Sequence, residues 1–248
     1  MRVIILLLLI SSAGRVLPQS KIEKSFNAGS ASAIHLKFTY PELIKVSSWD
    51  KNEVLIRGTV TINGNQNNDA FELTGKMDNG ELFIHSEIVG YDKLPKTITV
   101  KKDGVTHFFN TDNMNDPEVQ KIMKDGRHSY TTHGVNTKIQ LEVMVPKGKS
   151  LNVVSKFGTV EIKGIHAPVE VTSKFGGVDL AVDGATTSDL TAKTQFGQIY
   201  SNLDNNFEKV GQEGDGPGKW TEIESHSKGR YRVILESKFG DVYLRKID

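Results

Sequence analysis

The chain has 248 residues, 25% of them charged and 37% hydrophobic, with a formal net charge of +1 and no cysteine. That length holds one large all-β unit or two modest domains, and the composition excludes a disordered chain and a multi-spanning membrane protein. The lack of cysteine excludes disulfides, thiolate metal sites, a thiol nucleophile and the acylated cysteine of a bacterial lipoprotein.

Residues 1–19 read as a secretory signal peptide: Arg2 supplies the positive start, Val3 to Ile10 an unbroken apolar run, and Ser11, Ser12, Ala13 and Gly14 small residues for cleavage. Eight apolar residues are too few to span a bilayer as a helix, and no later segment is long enough. Removing residues 1–19 takes away Arg2 and Arg15 and leaves 29 basic against 30 acidic residues, a formal charge of −1. A nearly neutral chain does not point to nucleic acid as a partner.

Residues 20–146 form a first, irregular β region. Ile34, Leu36, Phe38 and Tyr40 alternate, as do Val54 with Ile56 and Val60 with Ile62, while Asn63-Gly64 and Asp78-Asn79-Gly80 are turn signals. Trp49, in the polar turn before Val54, is expected to plug the end of the core. Between Lys101 and Lys138 the alternation fails, and Asp116-Pro117-Glu118 with Val119, Ile122 and Met123 reads as one short capped helix near 116–126. Ile139, Leu141, Val143 and Val145 then resume the strand period.

From 147 to 248 the chain repeats itself. Ser155-Lys156-Phe157-Gly158, Ser173-Lys174-Phe175-Gly176, Thr194-Gln195-Phe196-Gly197 and Ser237-Lys238-Phe239-Gly240 are spaced by 18, 21 and 43 residues from Phe to Phe. Apolar residues recur six and four places before each Phe (Leu151 and Val153, Val169 and Val171, Leu190 and Ala192, Val233 and Leu235) and resume three places after it (Val160, Val178, Ile199, Val242). Each copy is therefore a strand, a corner and a strand, and a period near 20 residues predicts a β-helix or solenoid-like stack. The competing arrangement is a twisted antiparallel sandwich with hairpins at Phe-Gly. In the stack, Ser155, Ser173, Thr194 and Ser237 share the buried parity and form an interior hydrogen-bonded column, the four Phe rings form a buried ladder, and each Gly takes backbone angles that a Cβ resists. Residues near 202–219 leave the stack as a surface excursion. Arg245, Lys246 and Asp248 charge what is expected to be the last open strand.

These repeats, the phrase Trp49-Asp50-Lys51-Asn52-Glu53-Val54 and the signal peptide together resemble the bacterial putative-adhesin family of unknown function, described as containing β-strand repeats. The resemblance implies a β-helical fold and an exported envelope protein of the periplasm, cell surface or exterior. It carries no catalytic residue.

Function is sought on the outward ladders of the stack, where equivalent positions converge. Lys156, Lys174, Gln195 and Lys238 form a mostly basic row before the corner. Glu161, Asp179, Tyr200 and Tyr243 form a row of carboxylates and phenols after it. A glycan, an acidic polymer or an envelope protein is the partner such rows suit. Glu161 and Asp179, if adjacent, stand at roughly 5 Å, a spacing that retaining glycosidases use, but a flat exposed ladder leaves both ionised. The expectation is a non-enzymatic surface interaction or scaffold protein with no cofactor. The alternatives are a carbohydrate-active enzyme on the coil face and a periplasmic sensor or accessory subunit docked through the helical insertion.

No other metal or phosphate motif emerges. His128 and His133 lack a third ligand, and Asp112, Asn113, Asn115 and Asp116, like Glu213 and Asp215, lack the spacing of a calcium loop. The glycines at 211, 214, 216 and 218 lack the Lys-Ser/Thr ending of a phosphate loop.

Overall fold

The computed structural model describes residues 20–124, 128–183, 186–210 and 218–247. The signal segment, Gly126, Asp248 and most of the glycine-rich run with Glu213 and Asp215 lie outside the described residues. What is described is all-β apart from the helix Pro117–Met123 and two single 3₁₀ turns.

Five strand-corner-strand units build the molecule. They are Ala33–Phe38 with Leu43–Trp49, Ser150–Ser155 with Thr159–Lys163, Val169–Ser173 with Val178–Val182, Tyr231–Ser237 with Val242–Lys246, and Thr187–Thr194 with Ile199–Ser201. In each unit the first strand joins a nine-stranded sheet and the second an eight-stranded sheet. Neighbouring units pair in parallel with matched register: Ser155 lies opposite Phe38 and Ser173, Ser173 opposite Ser237, and Ser237 opposite Thr194. Val160, Val178, Val242 and Ile199 line up likewise in the other sheet. The parallel, in-register pairing rules out hairpins at the Phe-Gly corners.

Spatial order departs from chain order. The unit at Phe239 sits between those at Phe175 and Phe196. After Thr187–Thr194 the chain adds an antiparallel strand, Thr221–His226, on the outer side. It crosses over at Ser227 to Arg230, where the amide of Arg230 donates to the carbonyl of Thr186 at 2.7 Å and the Ser227 hydroxyl donates to the carbonyl of Thr187. It then returns as Tyr231–Ser237 on the inner side. The strand ending in Arg245 and Lys246 is consequently interior to its sheet, not the open edge. Its charges are met by Asp179, at 2.7 Å from Arg245, and by Asp204, at 2.5 Å from Lys246.

Inward residues of both sheets, from Ala28 to Leu244, make a single apolar cluster that runs across residue 146. Alternation explains it: Ile34 and Leu36, Val153, Val171, Leu235 and Ala192 are all buried, with polar residues between them facing out. Beyond the first unit, Glu53–Ile62 and Thr137–Pro146 extend one sheet, and Glu81–Ile88 with Phe71–Asp78 extend the other. Trp49 is half-buried, and its indole donates to the Glu53 carbonyl at 2.8 Å, so it covers its own turn.

The insertion is richer than one helix. Thr97–Lys102, Val105–Phe109 and His128–Gly134 form a three-stranded antiparallel sheet, and the helix packs Val119 against Ile98 and Val100. Polar and short strands hid it, since Val105–Phe109 has no buried residue. The helix begins as expected, with Asp116 accepting from the Glu118 amide at 2.9 Å. Fully buried Asn63 ties the insertion to the stack: its amide donates to the Pro95 carbonyl at 2.8 Å, and its carbonyl accepts from the Asn136 amide at 3.0 Å.

Candidate functional site

The corners converge on one edge of the molecule. Inside, a hydroxyl column forms as expected. Ser155, Ser173, Ser237 and Thr194 are each at most 2% exposed. Each accepts from the glycine amide three places on, at 2.9 to 3.2 Å. Three of them donate across to the preceding unit: Ser173 to Gly158, Ser237 to Gly176 and Thr194 to Gly240. The column satisfies carbonyls and amides that the corners take out of the strand ladder.

The corner glycines are required by crowding, not by backbone angle. None of Gly158, Gly176, Gly240 and Gly197 has a positive φ. A Cβ on them would instead collide with the carbonyls of Pro41, Gly158, Gly176 and Gly240, respectively, the matching residue of the unit beneath. Stacking brings backbone onto backbone there, and only a residue without a side chain fits.

The phenylalanines stack as expected but on the outside. Their exposures are 45%, 44%, 44% and 52% for Phe157, Phe175, Phe239 and Phe196. Ring centroids follow at 5.4, 5.1 and 4.9 Å, with planes within 14° of parallel. The chain bends after the buried hydroxyl, so the ring, although it shares the parity of the buried residues, swings outward. Tyr40 continues the stack below Phe157 at 6.3 Å, and Tyr91 lies on Tyr40 at 4.8 Å. Burial, together with Tyr91 and Asp92 nearby, raises the Tyr40 pKa.

Phe38-Thr39-Tyr40-Pro41 is thus a fifth, disguised corner. Ile34 and Leu36 stand six and four places before Tyr40, as in the other copies, but Phe38 replaces the serine and Pro41 the glycine. An extra residue, Glu42, intervenes before the second strand, where Ile44 meets Val160. The apolar offsets were the available signal.

Lys156, Lys174 and Lys238 stand at equivalent places on three consecutive units. Their ammonium groups lie 4.9, 5.0 and 5.4 Å from the centroids of their own units' rings. No carboxylate pairs with them among the described residues. Gln195, next in the row, donates to the Gly218 carbonyl at 2.6 Å.

The second row crosses the other sheet. Glu161 lies opposite Asp179, Asp179 opposite Tyr243, and Tyr243 opposite Tyr200. Its carboxylates are neutralised: Glu161 meets Lys45 at 3.5 Å, and Asp179 accepts from the Arg245 guanidinium at 2.7 and 2.8 Å. The hydrogen bond that Arg245 donates to Asp179 raises the Arg245 pKa further. A shallow groove of about 400 Å³ lies over this face, lined in part by Lys45, Arg57, Glu142, Glu161, Asp179 and Arg245. Tyr200 and Tyr243 stack at 5.0 Å. Desolvation and the hydrogen bond to Asp241 raise the Tyr243 pKa.

Elsewhere, Asn113 and Asp116 cap local turns, and His133 lies on a strand of the small sheet, exposed. No group of three or more His, Asp or Glu side chains gathers in metal-binding range among the described residues. No helix among them is long and apolar enough to cross a membrane.

No protein-family model matches the chain, and no curated protein matches it in sequence. Two solved structures match the chain in a comparison of structures. One is named a putative cell adhesion protein from Clostridium sporogenes ATCC 15579, with a TM-score of 0.50 and 12% identity over 93% of this chain and 100% of that one. The other is named a putative adhesin from Bacteroides fragilis NCTC 9343, with a TM-score of 0.24 and 11% identity over 92% of this chain and 98% of that one. At this identity the first likeness is one of fold, and the second is too remote in shape to argue from. The chain shares an all-β fold with a bacterial protein named for cell adhesion.

Proposed function

We propose that the protein is an exported, non-enzymatic module of the bacterial cell envelope, a β-helical stack that makes surface contacts through its corner edge. The observation that carries this reading is the exposed, in-register column of rings formed by Phe157, Phe175, Phe239 and Phe196. Rings half open to solvent at four of the five units leave apolar area uncovered that the core does not use, and uncovered apolar strips on otherwise charged surfaces mark contact sites. The name of the similar Clostridium protein and the apolar leader at residues 3–10 agree with an envelope role.

The non-enzymatic reading is supported by the state of the candidate acids. Glu161 and Asp179 are each held by a cation on an open face, whereas paired carboxylates that cleave glycosides need one member kept protonated.

Cell fractionation and retention on isolated envelope polysaccharide test the proposal together. The protein is expected in the envelope or the medium and retained by the polysaccharide, and Phe175→Ser with Phe239→Ser is expected to abolish retention while leaving the β-sheet circular dichroism in place. A purely cytoplasmic location overturns the export, equal retention of the double variant overturns the corner edge, and new reducing ends in the retained glycan overturn the non-enzymatic assignment.

A further inference from the structure

We propose that Tyr200 and Tyr243 are the site of an oxidative cross-link, a carbon-carbon bond between the two phenol rings that staples the end strand of the eight-stranded sheet to its neighbour. Such a bond needs no ligand and is independent of the corner-edge reading.

Register brings the rings together. Tyr200 lies directly opposite Tyr243 in parallel strands, with ring centroids 5.0 Å apart and planes within 12° of parallel. Parallel, in-register pairing sends both side chains the same way from backbones about 4.8 Å apart. The Arg245 guanidinium lies 5.2 Å from the Tyr243 ring centroid and is itself tied to Asp179, so it holds that ring in place.

Both phenol protons have a route out. The Tyr243 hydroxyl donates to the Asp241 carboxylate at 3.2 Å, and the Tyr200 hydroxyl donates to the Gln198 side-chain carbonyl at 2.7 Å. The Gln198 backbone amide donates to the other oxygen of Asp241 at 2.8 Å, so the two phenols are anchored on one hydrogen-bonded pair of residues. A carboxylate within hydrogen-bond reach takes the proton that a phenol sheds as it loses an electron. Tyr200 is 46% exposed and releases its proton to water.

A second stacked tyrosine pair lacks these features. Tyr40 and Tyr91 stand at 4.8 Å, but both pack against the core cluster and Tyr40 also lies on Phe157. Neither of their hydroxyls donates to a carboxylate among the described residues.

The oxidant is hydrogen peroxide acting through a haem peroxidase. Peroxide takes one electron and one proton from each phenol and leaves as two waters. The two tyrosyl radicals join through ring carbons ortho to their oxygens, forming one carbon-carbon bond. Each of those carbons then gives up its hydrogen as a proton while its oxygen regains one, which restores both aromatic rings. The linked pair is lighter by two hydrogen atoms.

The chain has no cysteine, so no disulfide can reinforce it. Ile199–Ser201 is a strand of three residues that ends its sheet and pairs with Val242–Lys246 alone. Tyr200 and Tyr243 are 43 positions apart in the chain. A bond between them closes that loop, which takes freedom from the unfolded chain and fastens the end of the sheet.

The test treats the purified protein with hydrogen peroxide and a haem peroxidase, follows dityrosine fluorescence, and maps the links by mass spectrometry of a digest. A peptide pair joining Tyr200 to Tyr243, lighter than its parts by two hydrogen atoms, is expected. The thermal midpoint is expected to rise by up to about 8 °C, the effect of closing a loop of this length in a chain of this size. Tyr200→Phe and Tyr243→Phe keep a ring in the stack and are each expected to abolish the link, whereas Tyr91→Phe leaves it unchanged. A link chiefly between Tyr40 and Tyr91, a covalent dimer as the main product, or no dityrosine overturns the site. A link between Tyr200 and Tyr243 with an unmoved midpoint overturns the stapling. Envelope retention, which tests the corner edge, is separate from all of these outcomes.

Discussion

The hydroxyl of Ser237 donates to the carbonyl of Gly176 at 2.9 Å, joining two residues 61 positions apart in the chain and adjacent in space. The same oxygen accepts from the Gly240 amide at 2.9 Å. One buried atom therefore closes its own corner and locks it to the neighbour. Ser237→Ala leaves a carbonyl and an amide without this partner and is expected to cost roughly 1–3 kcal/mol. Ser237→Thr keeps the hydroxyl, as Thr194 does in the next unit, and is expected to retain most of the stability. Urea midpoints of the two variants, at unchanged slope, check this.

Spatial order can be read out by deleting rings. Phe239 has a stacked neighbour on each side, at 5.1 and 4.9 Å, whereas among the phenylalanines Phe196 stacks only on Phe239. With each stacked pair contributing about 0.5–1.5 kcal/mol, Phe239→Ala is expected to destabilise about twice as much as Phe196→Ala. A stack in chain order predicts the reverse, because Phe196 is then the interior ring. Paired denaturation curves distinguish the two.

Two kinds of glycine separate under substitution by asparagine, which tolerates positive φ better than other residues. Gly80 has a φ of 79° and open space around it, so Gly80→Asn is expected to be mild. Gly176 has no positive φ but lies against the Gly158 carbonyl and the Thr159 amide, so Gly176→Asn is expected to cost about 1–3 kcal/mol or more, as overpacking does. Thermal melts of both variants and of Gly176→Ala check the contrast.

His226 supplies a pH dependence. Its hydrogen bond to Asp189 at 2.8 Å, with further attraction from Glu224 and Glu208, raises its pKa above 6.5. A raised folded-state pKa means that this contact's contribution is complete below pH 6.5 and is lost as pH climbs through the folded value. Because the side chain is exposed, the effect is local to the pairing of Thr221–His226 with Thr187–Thr194. NMR titration of the His226 ring is expected to give a pKa above the free value, and Asp189→Asn is expected to lower it.

The repeat made the strands, the corners and the interior hydroxyl column legible, because period-two burial and a fixed offset are local properties. Other features were not legible, each for a physical reason. Strand parity carried through the corner places the Phe ladder inside, whereas Phe157 and its counterparts turn outward there. A glycine at a corner suggests unusual backbone angles, but the cause here is the carbonyl of another unit, which no local sequence displays. Order along the stack was hidden because the copies are alike: Ser173 pairs in register with Ser237 as readily as it would with Thr194. The corner at Tyr40 escaped because its serine and glycine are replaced by Phe38 and Pro41, although Ile34 and Leu36 kept the spacing. On the outer faces, Lys156, Lys174 and Lys238 were identified as a row, but its freedom from carboxylates follows only from how Glu236, Asp179 and Glu161 choose other cations.

Seating the Phe239 unit between its Phe175 and Phe196 counterparts has a consequence for how the protein is made. A ribosome delivers residues 187–201 before 231–246, so the tower cannot grow storey by storey behind the exit tunnel. Until Tyr231–Ser237 and Val242–Lys246 emerge, the seat beside Val169–Ser173 and Val178–Val182 stays vacant, and both flanking ladders present bare amides and carbonyls. The later-made stretch is the keystone, and a nascent chain cut short before Tyr231 is left as two unjoined blocks with sticky edges.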